Sequence, residues 1–86
     1  MKPIKVYSFK ECPYCKEIKE LLTKDNIEFT DVDITLKENE EEYNEIMKIA
    51  KSEMVPIVRV GNQLLVPNVS FKSINECHTL VKKFLA

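Results

Sequence analysis

The feature that most constrains this chain is the order in which its apolar period changes, from two residues to three or four and back again. Ile4 to Phe9 is a short β-branched and aromatic run, which predicts a strand ending just before Cys12 and Pro13. After Pro13, Cys15, Ile18, Leu21 and Leu22 recur at spacings of three and four, while Lys16, Glu17, Lys19 and Glu20 fill the other face. That pattern predicts an amphipathic helix to about Lys24, stopped by Asp25-Asn26. Ile27 to Ile34 alternates apolar and polar residues, as a strand does. Thr35 to about Ser52 lacks Gly and Pro and sets Tyr43, Ile46, Met47 and Ala50 on one face, behind a glutamate-rich first turn that suits a helix dipole. A second helix is expected there.

Pro56 to Val60 and Gln63 to Val66 flank Gly61-Asn62, the pattern of a hairpin whose two-residue turn takes positive φ. From Ser70 onward Phe71, Ile74, Cys77, Val81 and Leu85 form one helical stripe, with Ser70 or Ser73 as N-cap and Ser73-x-x-Glu76 as a capping box. The order is therefore β-α-β-α-β-β-α, an α/β class. A right-handed crossover makes the first two strands parallel, and the hairpin adds an antiparallel pair. The expected result is a four-stranded mixed sheet with three helices, the thioredoxin-like arrangement. A length of 86 residues suits a single domain over 1–86.

Composition narrows the function. With 44% hydrophobic and 31% charged residues and a net charge of −1, the chain is expected to be soluble and globular, with no overall field favouring nucleic acid. Eight of the fourteen acids fall between Glu28 and Glu45, a pattern read as a solvated helix face. No apolar run approaches the ~18 residues of a membrane span. Met1 to Val6 has no apolar segment of a secretory leader, so the cytoplasm is the expected compartment. Three cysteines are too few for a secreted disulfide scaffold, and Cys12 and Cys15 form a C-x-x-C pair.

Thiol–disulfide exchange needs a thiolate, and an ordinary cysteine is mostly protonated at neutral pH. Cys12 falls at the start of the first helix, where unpaired N–H groups and the macrodipole favour an anionic sulfur. Lys10 and Lys16 add to that field and Glu11 opposes it. Cys15, one turn further on, shares a helix face with Cys12 and is placed to attack a mixed disulfide on it. Cys12 is thus read as nucleophile and Cys15 as resolving thiol, with Pro13 restricting the turn and Tyr14 offering a ring and hydroxyl beside the exchanging bond. The competing reading is half of a zinc site completed by Cys77 and His78. Adjacent helical residues diverge by about 100°, so that pair converges poorly on one metal, and no metal site is expected. Cys77 is read as a small core residue and His78 as a surface side chain.

Cys12-Pro13-Tyr14-Cys15 after a first strand, followed by Met54-Val55-Pro56 after the second helix, resembles the dithiol glutaredoxins over nearly the whole chain. The resemblance implies a cis Pro56 in a loop facing the cysteines, with the Val55 backbone pairing with the cysteinyl part of glutathione. It further implies a basic residue for the glycine carboxylate. Here Phe9 stands where the family commonly has Lys or Arg, which leaves Lys10, and Glu53 stands where Arg or Gln is frequent, which leaves Lys51. The family's glycine pair before the last helix is replaced within Val66 to Phe71, where Ser70, as a cap, would hold the γ-glutamyl carboxylate. The activity implied is glutathione-dependent reduction of protein disulfides and glutathione mixed disulfides by a monomer without a bound cofactor. Glutathione serves as reducing co-substrate, and ribonucleotide reductase and glutathionylated proteins are the implied clients. Two alternatives are a redoxin recharged by thioredoxin reductase and a glutaredoxin-like module holding a metal or iron–sulfur cluster. Cys15 argues against the second, because it would drain the mixed disulfide that a stable cluster ligand must avoid.

Overall fold

A computed structural model describes residues 3–52 and 54–85. Its elements are β1 (Ile4–Ser8), α1 (Pro13–Lys24), β2 (Thr30–Asp33), α2 (Glu40–Ala50), β3 (Ile57–Val60), β4 (Gln63–Leu65) and α3 (Ile74–Leu85). The sheet runs in the order β2-β1-β3-β4. β1 pairs parallel with β2, from Lys5 opposite Thr30 to Ser8 opposite Asp33, and antiparallel with β3, from Ile4 opposite Val60 to Tyr7 opposite Ile57. The expected mixed sheet and three helices are both present.

Strand alternation divides the core in two, one part on each face of the sheet. Val6, Val58 and Val60 point toward α1 and α3, where they join Ile18, Leu22, Phe71, Cys77 and Val81. Tyr7 and Ile57 point the other way and meet Val32, Ile46 and Val66 beneath α2. Tyr7 reaches the rim of that layer, where its hydroxyl donates to Glu42 at 2.6 Å and Lys5 donates to the same oxygen at 2.9 Å.

The starts of β2 and α2 differ from expectation. β2 begins at Thr30, not Ile27, because its ladder partner β1 supplies no pairing before Lys5; Ile27 and Phe29 still pack on the core through their side chains. α2 begins at Glu40, not Thr35. Asp33 Oδ1 captures both the N–H and the hydroxyl of Thr35, a local bond that competes with helix formation. Leu36 stays extended and a short 3-10 turn at Lys37–Asn39 leads into the helix. Of the two serines expected as candidate caps of α3, Ser73 serves: its hydroxyl accepts from the N–H of Glu76 at 3.2 Å, and the Glu76 carboxylate accepts from the N–H of Lys72 at 2.9 Å.

The turns follow residue chemistry. α1 ends with Asn26 left-handed at φ 58°, as Ile27 N–H reaches Leu22 O and Asn26 N–H reaches Thr23 O, a Schellman pairing. In the hairpin, Gly61 alone of the two turn residues takes positive φ, as a type II′ turn requires.

Candidate active site

β1 delivers the chain to the reactive pair. Its last residue, Ser8, is followed by a tight loop in which the Cys12 N–H bonds to Phe9 O at 3.2 Å. Cys12 then takes the N-cap position with extended backbone (φ −88°, ψ 112°), and Pro13 occupies the first helical turn, where no N–H is needed. The side chain of Cys12 serves as the cap: its Sγ accepts the N–H of Cys15 at 3.3 Å. A helix start thus aims a backbone donor at one sulfur of the pair.

Cys15 lies deeper than Cys12, which is itself buried at 6% exposed. Cys15 is 0% exposed, and burial, reinforced by the hydrogen bond and charge of Cys12, pushes its thiol up to about 12. The Phe9 backbone and the Lys19 ammonium act the other way. Two sulfurs one helical turn apart therefore differ in kind, one capped by an N–H at the helix end and one a closed-in thiol.

Beside the pair lies a cleft of ≈ 260 Å³ lined by Tyr14, Val55, Pro56, Asn68, Lys72 and Ser73, among others. Tyr14 is 61% exposed and forms a wall of it. The Val55–Pro56 bond is cis, as the resemblance implied. Tyr14, Val55 and Pro56 are thus brought together.

The other expected contacts are not brought to this cleft. Lys10 lines a separate depression of ≈ 340 Å³ with Phe9, Asp33 and Thr35, and its charge helps hold the Asp33 carboxyl below the usual range, chiefly the work of Thr35. Lys51 is the left-handed residue (φ 56°) closing α2, exposed and outside the cleft. Ser70 does not cap α3: its hydroxyl accepts from Val66 N–H and donates to Leu64 O, holding the loop that leaves β4. Glu53 lies outside the described residues.

Lys72 and Asn68 went unnoticed in the sequence. Lys72 directly precedes the capping serine, a position from which a side chain reaches ligands at a helix start; that was the available signal. Asn68, at φ 63°, supplies a left-handed residue in the loop between β4 and α3, and its amide donates to Met54 Sδ at 3.3 Å.

Cys77 and His78 lie elsewhere. Cys77 is 0% exposed among Ile18, Leu22 and Val81, and burial alone pushes its thiol up to about 12. His78 pairs with Asp25 at the C-terminal end of α1, opposite the end that carries Cys12. Among the described residues no group of three or more His, Cys, Asp or Glu is arranged to hold a metal ion. A larger depression of ≈ 620 Å³, bordered by Pro3, Lys5, Arg59 and Gly61, lies at the start of β1, away from the cysteines.

Comparison with known proteins agrees with this geometry. The Glutaredoxin family model matches residues 4–65. A curated relative from Clostridium pasteurianum, described as an uncharacterized glutaredoxin-like 8.6 kDa protein in a rubredoxin operon, is 35% identical over 63 residues, 73% of this chain and 81% of the relative. Among solved structures, reduced glutaredoxin C1 from Populus tremula x tremuloides superimposes with a TM-score of 0.70 at 20% identity over 94% of this chain; the match spans 65% of the poplar chain. A buckwheat glutaredoxin–glutathione complex gives a TM-score of 0.73 at 14% identity, over 98% of this chain and 76% of that one. At those identities the two structures speak to the fold, while the family match extends over the strand, the Cys-Pro-Tyr-Cys turn and the cis-proline loop described above. The chain belongs to the glutaredoxin family of thiol–disulfide oxidoreductases.

Proposed function

We propose that the protein reduces protein disulfides and glutathione mixed disulfides by dithiol exchange, with Cys12 as nucleophile, Cys15 as resolving thiol and glutathione as the reductant that restores the pair. The observation that carries this reading is the asymmetry of the two sulfurs: Cys12 caps the helix and accepts the Cys15 N–H, whereas Cys15 is fully enclosed. The Cys12 thiolate attacks one sulfur of the client disulfide, forms a mixed disulfide and releases the other sulfur as a thiolate, which takes up a proton. Cys15 then gives up its proton and attacks Cys12 Sγ; the Cys12–Cys15 disulfide forms and the client leaves as a second thiol. The client gains two electrons and the cysteine pair loses two.

For the glutathione step, the cleft offers Val55 and Pro56 as the backbone platform, Tyr14 as an apolar wall and the start of α3 for a carboxylate. Lys72 replaces Lys10 and Lys51 as the basic group beside it. A second reading, recharging by thioredoxin reductase, is favoured by the position of Lys10 and Lys51 outside the cleft.

The deciding experiment is NADPH consumption during reduction of a small mixed disulfide, with glutathione plus glutathione reductase in one arm and thioredoxin reductase in the other. Turnover in the first arm and not the second is expected. The reverse result would replace glutathione with the reductase while leaving Cys12 in place, and full activity of Cys12→Ser in either arm would sink the nucleophile assignment.

A further inference from the structure

Of the lysines on α1, Lys16 and Lys24 are exposed, but Lys19 is turned inward, its side chain only 25% exposed. It lies four residues after Cys15, on the same side of the helix. Two strands hold its ammonium: it donates to Asp31 Oδ2 on β2 at 3.0 Å and to Ser8 Oγ on β1 at 3.4 Å, while Ser8 in turn donates to Asp31 Oδ1 at 2.6 Å. Ser8 is 1% exposed and is the buried polar residue nearest in sequence to the reactive loop. The register explains the meeting: Asp31 lies opposite Val6, so Asp31 and Ser8 both face α1.

An exposed ion pair contributes little to stability, and a clamp of this kind restricts a long side chain that would otherwise be free. The resolving step gives the clamp a use. Cys15 must become an anion where water does not reach it. The charged or titratable groups on this side of α1 are Cys12 at the helix cap, Lys19 and the Asp31 carboxylate that pairs with the lysine, and of these Cys12 and Lys19 bear on the Cys15 thiol. Once Cys12 carries the client in a mixed disulfide, it is no longer a charge, and Lys19 is left.

Resting on the dithiol reading above, we infer that Lys19, fixed by Asp31 and Ser8, is a positioning residue that supports the Cys15 thiolate as it attacks the Cys12 mixed disulfide. Lys19 stays protonated throughout. The proton that Cys15 gives up ends on the departing client sulfur, so the balance of the exchange is unchanged. The direction of the Lys19 influence on the Cys15 thiol, opposite to that of burial, agrees with this role.

Removing the charge lowers the thiolate fraction of Cys15 but leaves the remaining thiolate more nucleophilic. With a Brønsted coefficient of about 0.5, a tenfold loss of thiolate becomes about a threefold loss of rate. The test follows closure directly. Reduced protein is mixed with 2-hydroxyethyl disulfide, quenched in acid at intervals from pH 6 to 9, and the Cys12 mixed disulfide and the intramolecular disulfide are counted by mass. Cys15→Ser reports the first attack alone. Lys19→Met is expected to close about threefold more slowly near neutral pH, with its rate profile displaced to higher pH, and Lys19→Arg to recover most of the loss. Lys19→Gln serves in place of Lys19→Met should the latter fold poorly. Equal closure rates in Lys19→Met and wild type across the pH range, or a Lys19→Arg no faster than Lys19→Met, would overturn the inference. Failure of Cys15→Ser to accumulate any mixed disulfide would overturn the dithiol reading itself, a separate result.

Discussion

Replacing Tyr7 by Phe removes one oxygen from a wholly buried side chain and leaves the ring in place, so no cavity forms and the hydroxyl contribution is isolated. That hydroxyl donates to Glu42 at 2.6 Å and ties the first turn of α2 to β1, the strand that leads to Cys12. A hydrogen bond to a charged group contributes about 1.5–3 kcal/mol. The Glu42 side chain is 35% exposed and keeps Lys5, so water and the lysine replace part of the loss; about 1–2 kcal/mol is the expected cost at pH 7. For a chain of this length that is a fall in Tm of roughly 4–16 °C.

The pH dependence sharpens the expectation. The Tyr7 hydrogen bond, and then that of Lys5, hold the Glu42 carboxyl below its ordinary range. A depressed carboxyl contributes stability that is present above its unfolded pKa and lost as pH falls through the lower folded value. The Tyr7 hydroxyl is pushed up to about 12, by burial first and then by Glu42, so its share persists at neutral pH and is lost only as pH rises through that value. The difference between wild type and Tyr7→Phe should therefore be full at pH 7 and smaller at pH 3, below the ordinary carboxylate range. Urea unfolding followed by circular dichroism, on reduced protein at both pH values, measures it. Equal midpoints at pH 7, or an undiminished difference at pH 3, would refute the argument that the hydroxyl acts through the ionised carboxylate.

Other expectations follow from single contacts. Ser73→Ala, which deletes the cap of α3, should cost about 1 kcal/mol in the same unfolding assay and raise the KM for glutathione, since Ser73 borders the cleft; a change in neither would separate α3 capping from the site. Cys77 is enclosed in the core with its thiol raised, so a brief pulse of iodoacetamide on the native reduced protein should label Cys12 and spare Cys77, as peptide mass spectrometry would show. Asp25 is held below the usual carboxylate range, chiefly by His78 and then by Lys82. Asp25→Asn should accordingly lose stability at pH 7 and differ little from wild type once pH falls below the folded carboxylate pKa.

Local signals in the chain were strong where a residue type leaves little choice. Pro13 after Cys12 marked the start of α1, Asn26 its end and Gly61 the hairpin turn. They failed or left a choice open where side chains compete with backbone: Asp33 captures Thr35 and delays α2, and of the two candidate caps of α3, Ser70 bonds to its own loop and leaves the role to Ser73. Neither competition changes the hydrophobic period, so periodicity could not report it.

The reactive pair was legible because its chemistry is local: a turn of helix carries both sulfurs, and the cap bond from Cys15 N–H to Cys12 spans three residues. The surroundings of that pair are not local. Which lysine borders the cleft depends on how α3 docks against the cis-proline loop, and this favours Lys72 over Lys10 and Lys51. The clamp on Lys19 depends on the parallel register of β1 and β2, which turns Asp31 and Ser8 to one face. The sequence by itself therefore determined the reaction class and the two sulfurs, through short-range helix geometry. Only the tertiary structure decided which charges surround them, because those charges come from strands and helices that meet through long-range packing.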